Sequence, residues 1–308
     1  TFGADHADPV AELAQKLPEL LQNKSRLYYR IGLDRDFDGR VLSAIDRVRE
    51  KAKLGVYWPV ELVDPATIIH EMRRIKSRAE LDLLRRAAEI TRAAHLAAIR
   101  KTAPGVYEYE VEAELRAVFR KHGSERPAYG PIVGSGVNAT VLHYRKNERC
   151  MQEGDLLLID AGCEYGYYAS DVTRTFPVGK AFTRPQQAIY ELVLAAQEAS
   201  IRATRPGATL EAVHDASVQI IAKGLVDLGL LSGTLEEVLE KQSYKKFFMH
   251  RTSHYLGMDV HDVGRYYLEG TARPLDTGVV ITVEPGIYVA ENAEGVPEEY
   301  RGIGVRIE

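Results

Sequence analysis

The stretch LLLIDAGCEYGYYASDVTRTFPVG constrains the fold most, because it reads as two strands that bring two acids together. An apolar run from Leu156 to Ile159 delivers Asp160, and a second strand-like run from Tyr167 to Phe176 carries Asp171. A two-residue loop at Tyr165-Gly166 is expected between them, because glycine supplies the positive φ such a loop needs at its second central residue. Counting outward from Glu164 opposite Tyr167 then sets Asp160 opposite Asp171. Directly opposed residues hold their Cβ atoms roughly 4.5–5.5 Å apart, and like charges so placed destabilise a sheet. The two acids therefore need a cation between them or a shared proton. The alternative is a solvated hairpin whose acids have no common partner.

Three later segments favour the cation. In VVITVEPGIYV, Glu284 closes an apolar strand before Pro285-Gly286 turns the chain. In YRGIGVRIE, Arg306 and Glu308 are two apart, so strand alternation points both to one face. In FFMHRTSHYLGMDVHDVGRYY, His250, His254 and His261 fall within twelve residues, among aromatics and glycines. Four carboxylates and histidine, each leaving an apolar strand or a glycine-rich turn, read as an oxygen-rich site for two divalent ions.

With IVGSGVNATVLHYRKNE, MHRTSHYLGMDVHDVG and GIGVRIE added to those segments, the chain from about Val63 onward resembles the metallopeptidases of the pita-bread fold. Within them it is most similar to the Xaa-Pro aminopeptidases, with the Xaa-Pro dipeptidases nearest. The resemblance implies an α+β fold with an internal pseudo-twofold, helices packed outside a curved antiparallel sheet. It also implies metal ligands at Asp160, Asp171, His254, Glu284 and Glu308. Asp171 and Glu308 would bridge the ions, Asp160 would serve one, and His254 with Glu284 the other. His143 and His261 are expected at the substrate and the reaction intermediate, and His250, Tyr129 and Arg306 as orienting groups. This sequence has His250-Arg251 where the family usually reads His-Gly.

The implied reaction is hydrolysis of the bond between an N-terminal residue and a following proline. The implied cofactors are two divalent metal ions, with Mn²⁺ the best fit to carboxylates and one imidazole. A water bridging the ions would attack the carbonyl, and Glu284 would carry its proton to the proline nitrogen. Tyr144, Tyr255 or Tyr288 could line a pocket for the proline ring. Three other readings remain: a dipeptidase, a methionine aminopeptidase, and a metal-free binding module of the same fold. The implied partners are peptides with proline second and further copies of the chain, in a dimer or tetramer.

Composition excludes other classes. A formal net charge of −4 leaves no basic footprint for nucleic acid. No run approaches the roughly 18 apolar residues of a membrane span. Two cysteines, Cys150 and Cys163, suit a reducing cytoplasm rather than a disulfide scaffold. Cys163 is expected to pack rather than react.

Residues 1–63 read as part of a smaller amino-terminal α/β domain and linker, and 64–308 as the catalytic domain. Val10, Leu13, Leu17, Leu20 and Leu21 have helical spacing, RLYYRIGL is a strand candidate, and Val41, Leu42, Ile45 and Val48 mark a second amphipathic helix. YWPVELVDPATIIHEMRRIKS has no clean period and reads as the linker. Helices are expected over 80–101 and 108–121, broken by Ala103-Pro104-Gly105, and again over 184–204 and 209–228, broken by Arg205-Pro206-Gly207. The repeated plan reads as a duplicated helix–helix–strands unit. By the resemblance, relatives continue beyond both ends, so the chain reads as a fragment.

Overall fold

The computed structural model describes residues 3–308. The chain forms two compact units, one ending at Met72 and the other Arg73–Glu308. In the first, strands Arg26–Tyr28 and Glu61–Val63 pair in parallel, with Arg26 opposite Glu61. Parallel neighbours require a crossover, and helix Arg35–Arg49 supplies it, with Asp34 accepting hydrogen bonds from the Asp36 and Phe37 amides at its start. Val41, Ala44, Ile45 and Val48 bury one face of this helix against Leu21 of helix Leu13–Leu21. Leu42, expected on that face, is 46% exposed, and Ala44 takes its place. The expected linker is largely structured: it contains the strand Glu61–Val63 and a helix, Ala66–Arg74. A three-residue strand is too short to show a period, and its pairing partner lies over thirty residues away.

The second unit carries the duplicated plan. Helix Arg78–Lys101 opens on a capping box made by Ser77 and Glu80, and helix Arg184–Ala203 on one made by Thr183 and Gln186. Each packs against a second helix, Glu108–Lys121 or Leu210–Asp227. The joints match bond for bond. Gly105 and Gly207 both have φ of +87°. Their amides donate to Met151 O and Leu275 O, each at 2.9 Å. Thr102 and Thr204 each return a hydroxyl hydrogen bond to the carbonyl four residues earlier. The step from Met151 to Leu275 also carries Asp160 onto Glu284, so these two acids occupy equivalent positions in the two halves.

The sheet nearest these acids has strand Leu156–Asp160 at its centre, antiparallel to Ile132–Ser135 and to Thr173–Pro177. Its outer face meets Ile90, Ala94, Leu115 and Phe119 of the first helix pair. The second pair packs Ile189, Val193 and Ile221 against Ile287 and Val305 of the hairpin Gly286–Tyr288/Gly304–Arg306. Among the described residues, no helix is long and apolar enough to cross a membrane.

The central hairpin corrects the expected register. Tyr165 pairs with Tyr168, and the loop is Gly166-Tyr167, with φ of 56° and 69°. Positive φ at both central residues is the type I′ geometry that matches strand twist. Asp160 consequently faces Thr173, and Asp171 is its diagonal neighbour. A slip of two residues preserves the face on which every side chain lies, so both acids still point the same way.

Candidate active site

Four carboxylates and one imidazole converge where the two halves meet. The Tyr129 hydroxyl reaches Asp160 Oδ1 at 2.6 Å and also contacts Asp171 Oδ1. Its single proton can serve one of them at a time, so the hydroxyl holds the pair together without neutralising it. His254 enters from a segment laced to the strand end at Glu284. Thr282 N donates to His254 O at 3.0 Å, and Glu284 N donates to Thr252 O at 2.8 Å. His254 Nδ1 lies 2.9 Å from Tyr255 O, which fixes the proton on that nitrogen. Nε2 is thereby turned to the acids, 3.4 Å from Asp171 Oδ2 and 3.2 Å from Glu284 Oε1.

Glu308 completes the set. Its Oε2 accepts from Thr173 Oγ1 at 2.8 Å, while Oε1 is buried with no hydrogen-bond partner. Ligand atoms of Asp171, His254 and Glu308 all lie within 4.8 Å of one another. A buried carboxylate oxygen with no donor, aimed at an imidazole and a second carboxylate, fits a divalent cation. The absence of thiolates fits a hard or borderline ion.

Titration follows from this crowding. Burial, then the charges of Asp171, Glu284 and Asp160, push the Glu308 carboxyl well above its usual range. Burial likewise raises Asp160, against the opposing pull of Arg306. Burial disfavours a charge on His254, but hydrogen bonds to Asp171 and Glu284 outweigh it and raise the imidazole to about 11. Burial also works to raise Glu284, and the His254 contact reverses the effect and lowers it. Such a cluster holds positive charge by whatever means it can, as protons or as metal.

Behind the acids runs a directed chain of hydrogen bonds. Arg306, 4% exposed, donates from Nη2 to Asp160, from Nε to Thr173 Oγ1 at 3.0 Å and from Nη1 to Tyr288 Oη at 2.9 Å. Tyr288 Oη is 2.9 Å from His250 Nε2, and His250 Nδ1 is 2.8 Å from Arg251 O. A proton on Nδ1 donates to that carbonyl, leaving Nε2 to accept from the tyrosine. Burial lowers the His250 pKa, which keeps the ring neutral for this role.

A cavity of about 430 Å³ opens over the acids, lined by the ten residues expected as ligands, substrate contacts or orienting groups: Tyr129, His143, Asp160, Asp171, His250, His254, His261, Glu284, Arg306 and Glu308. His261 stands edge-on to His254, ring centres 4.4 Å apart. Burial and then the His254 charge lower its pKa, so it presents a neutral imidazole. None of the three tyrosines suggested for the proline ring lines this cavity. Tyr255 is 1% exposed in the core, Tyr144 donates to Glu108 Oε2 at 2.7 Å, and Tyr288 belongs to the arginine chain. The apolar walls are Ile132, Leu142 and Val260. Thr173 and Thr282 were missed by the sequence reading. Each lies two residues from one of the converging acids, Asp171 or Glu284, and strand alternation could have found both.

Residues 82–308 match metallopeptidase family M24. Over 307 residues the chain is 46% identical to the Xaa-Pro aminopeptidase of Escherichia coli, covering all of this chain and 69% of that protein. It is 33% identical to human Xaa-Pro aminopeptidase 3 over 99% of this chain and 59% of the relative. Among solved structures it matches the Pseudomonas aeruginosa aminopeptidase PepP with a TM-score of 0.96 at 47% identity, covering 99% of this chain and 69% of the other. It matches a zinc-substituted E. coli aminopeptidase P in complex with product with a TM-score of 0.94 at 46% identity, covering 99% and 69%. The fold is therefore the pita-bread fold of those enzymes, and the chain belongs to metallopeptidase family M24.

Proposed function

We propose that this metallopeptidase is an Xaa-Pro aminopeptidase, releasing an N-terminal residue from peptides with proline second. The observation that carries the reading is the convergence of Asp160, Asp171, His254, Glu284 and Glu308 in one cavity, beside two further imidazoles. Its support from relatives is the name borne by the E. coli enzyme at 46% identity. We take two divalent ions as the cofactor, Mn²⁺ fitting the donor set best, which Asp160, Asp171, His254, Glu284 and Glu308 would hold. When bound, such a pair polarises a carbonyl and makes water a nucleophile near neutral pH.

The chain's own residues do the rest. Glu284, which lines the cavity beside His254, is the carboxylate assigned to take a proton and deliver it to the leaving nitrogen. That nitrogen needs it, because an amine leaves only once protonated, and proline departs as a secondary amine. His143 and His261 face the cavity as donors to substrate carbonyl oxygens, and Ile132, Leu142 and Val260 offer an apolar wall to the pyrrolidine ring. Arg306 holds Asp160 in place through the contacts behind it. We further propose a cytoplasmic location, which two cysteines suit, and a dimer or tetramer, to be sized by light scattering.

The test is product analysis on Ala-Pro-Ala and Ala-Pro with Mn²⁺ added. Release of alanine from the tripeptide is expected. Cleavage of the dipeptide alone would reassign the chain to the dipeptidases.

A further inference from the structure

The segment bearing His261 is anchored from behind by an ion pair buried in the catalytic unit. Lys76 Nζ donates to Asp262 Oδ2 at 2.8 Å, and each side chain is 1% exposed. Arg73 donates to the other oxygen, Oδ1, and also to Asp259 Oδ2 at 2.8 Å. The backbone is fixed at both partners: Lys76 N donates to Gly278 O at 2.8 Å and Asp262 N to Tyr255 O at 2.9 Å. Gly257 roofs the pair so closely that a Cβ there would lie 2.1 Å from Asp262 Oδ2 and 3.0 Å from Lys76 Cε. Consecutive side chains thus diverge, His261 lining the catalytic cavity and Asp262 reaching into the interior.

Stability alone is a weak reason for such an arrangement. Well-packed apolar residues often replace a buried ion pair at no loss, since desolvation offsets the attraction. What charges supply and apolar contacts do not is direction. Two cations grip the two oxygens of one carboxylate from different sides and fix the rotation of the peptide that follows His261.

We propose that Lys76 and Arg73 are positioning residues for His261, acting through Asp262. The inference rests on the reading of His261 as a donor to the substrate. A donor displaced by about 1 Å can cost a factor of a hundred in rate, so loosening this anchor should lower kcat about 10- to 100-fold. KM should hold; because Asp262 N and His254 Nδ1 share the Tyr255 carbonyl, metal content is read at saturating Mn²⁺, where it should also hold, and a loss of metal parallel to that of kcat overturns the proposal.

The experiment measures kcat, KM and bound metal for the full chain carrying Lys76→Met, with Lys76→Arg as the conservative variant. Lys76→Met combined with Asp262→Asn leaves no lone buried charge at the pair and carries the test if the single variant does not fold. Each is repeated in a His261→Ala background. The expected result is a kcat loss in the parent, partial recovery with Lys76→Arg, and less than about a twofold further loss once His261 is gone. Equal losses in both backgrounds, or unchanged kcat in the parent, overturn the proposal while leaving the functional reading intact. Full turnover by His261→Ala alone overturns that reading and this inference with it.

Discussion

Arg306→Met tests the electrostatics of the centre most directly. The guanidinium is 4% exposed, and its Nη2 pairs with Asp160, whose side chain is 14% exposed. Removing one partner of a buried pair leaves a lone charge and typically costs about 3–5 kcal/mol. Two features of the site place this case at the lower end. Asp160 keeps the Tyr129 hydroxyl, and burial already favours its protonated form. Thr173 and Tyr288 each lose one donor but retain Glu308 and His250 as partners. The expected loss is therefore about 3 kcal/mol, or a Tm lower by about 6–12 °C for a domain of this size. Urea denaturation in EDTA measures it directly. Repeating the titration with Mn²⁺ should shrink the deficit, because a cation on Asp160 replaces the missing guanidinium. A deficit below about 1 kcal/mol in EDTA, where a buried pair should cost several, would refute the argument that Arg306 forms a charged buried pair with Asp160.

Asp171→Ala should lose metal and activity together, with elemental analysis finding less than one ion per chain, because its carboxylate faces both His254 and the Tyr129 hydroxyl. His261→Ala should keep its metal and lose about 10²–10³ in kcat, the usual loss when one preorganised donor is removed; unchanged turnover contradicts its role. His95, buried against Ala161 O, has its pKa lowered to about 4, chiefly by burial. The unfolded chain therefore binds a proton that the folded chain refuses, so stability falls as pH drops from 6.5 through 4, by up to about 3 kcal/mol. His95→Gln should flatten the pH dependence of urea denaturation in that window, and an unchanged slope would remove His95 as its cause.

Much of the centre was legible because its acids and imidazole sit at recurrent local features. Asp160 ends an apolar strand, Glu284 precedes Pro-Gly, and His254 lies in a glycine-rich turn. The helix pairs were also readable, since the Pro-Gly breaks between their members are local signals. Even the wrong hairpin register left Asp160 and Asp171 on the correct face, because a shift of two residues does not change parity. Tyr167 hid the true loop, since tyrosine gives no hint of the left-handed backbone that it adopts. The strand Glu61–Val63 was hidden for a different reason, its order coming from a parallel partner at Arg26–Tyr28.

By itself, then, the amino-acid order determined which donor atoms are available, which strand ends carry them, and that the chain is built twice on one plan. Tertiary structure alone decided that Tyr288 orients His250 rather than lining a pocket, that Glu308 keeps one oxygen without a donor, and that Lys76 meets Asp262. The physical reason is range. Backbone periodicity and capping act over a few residues, whereas these contacts join segments dozens to nearly two hundred positions apart, and only packing brings them within hydrogen-bond distance.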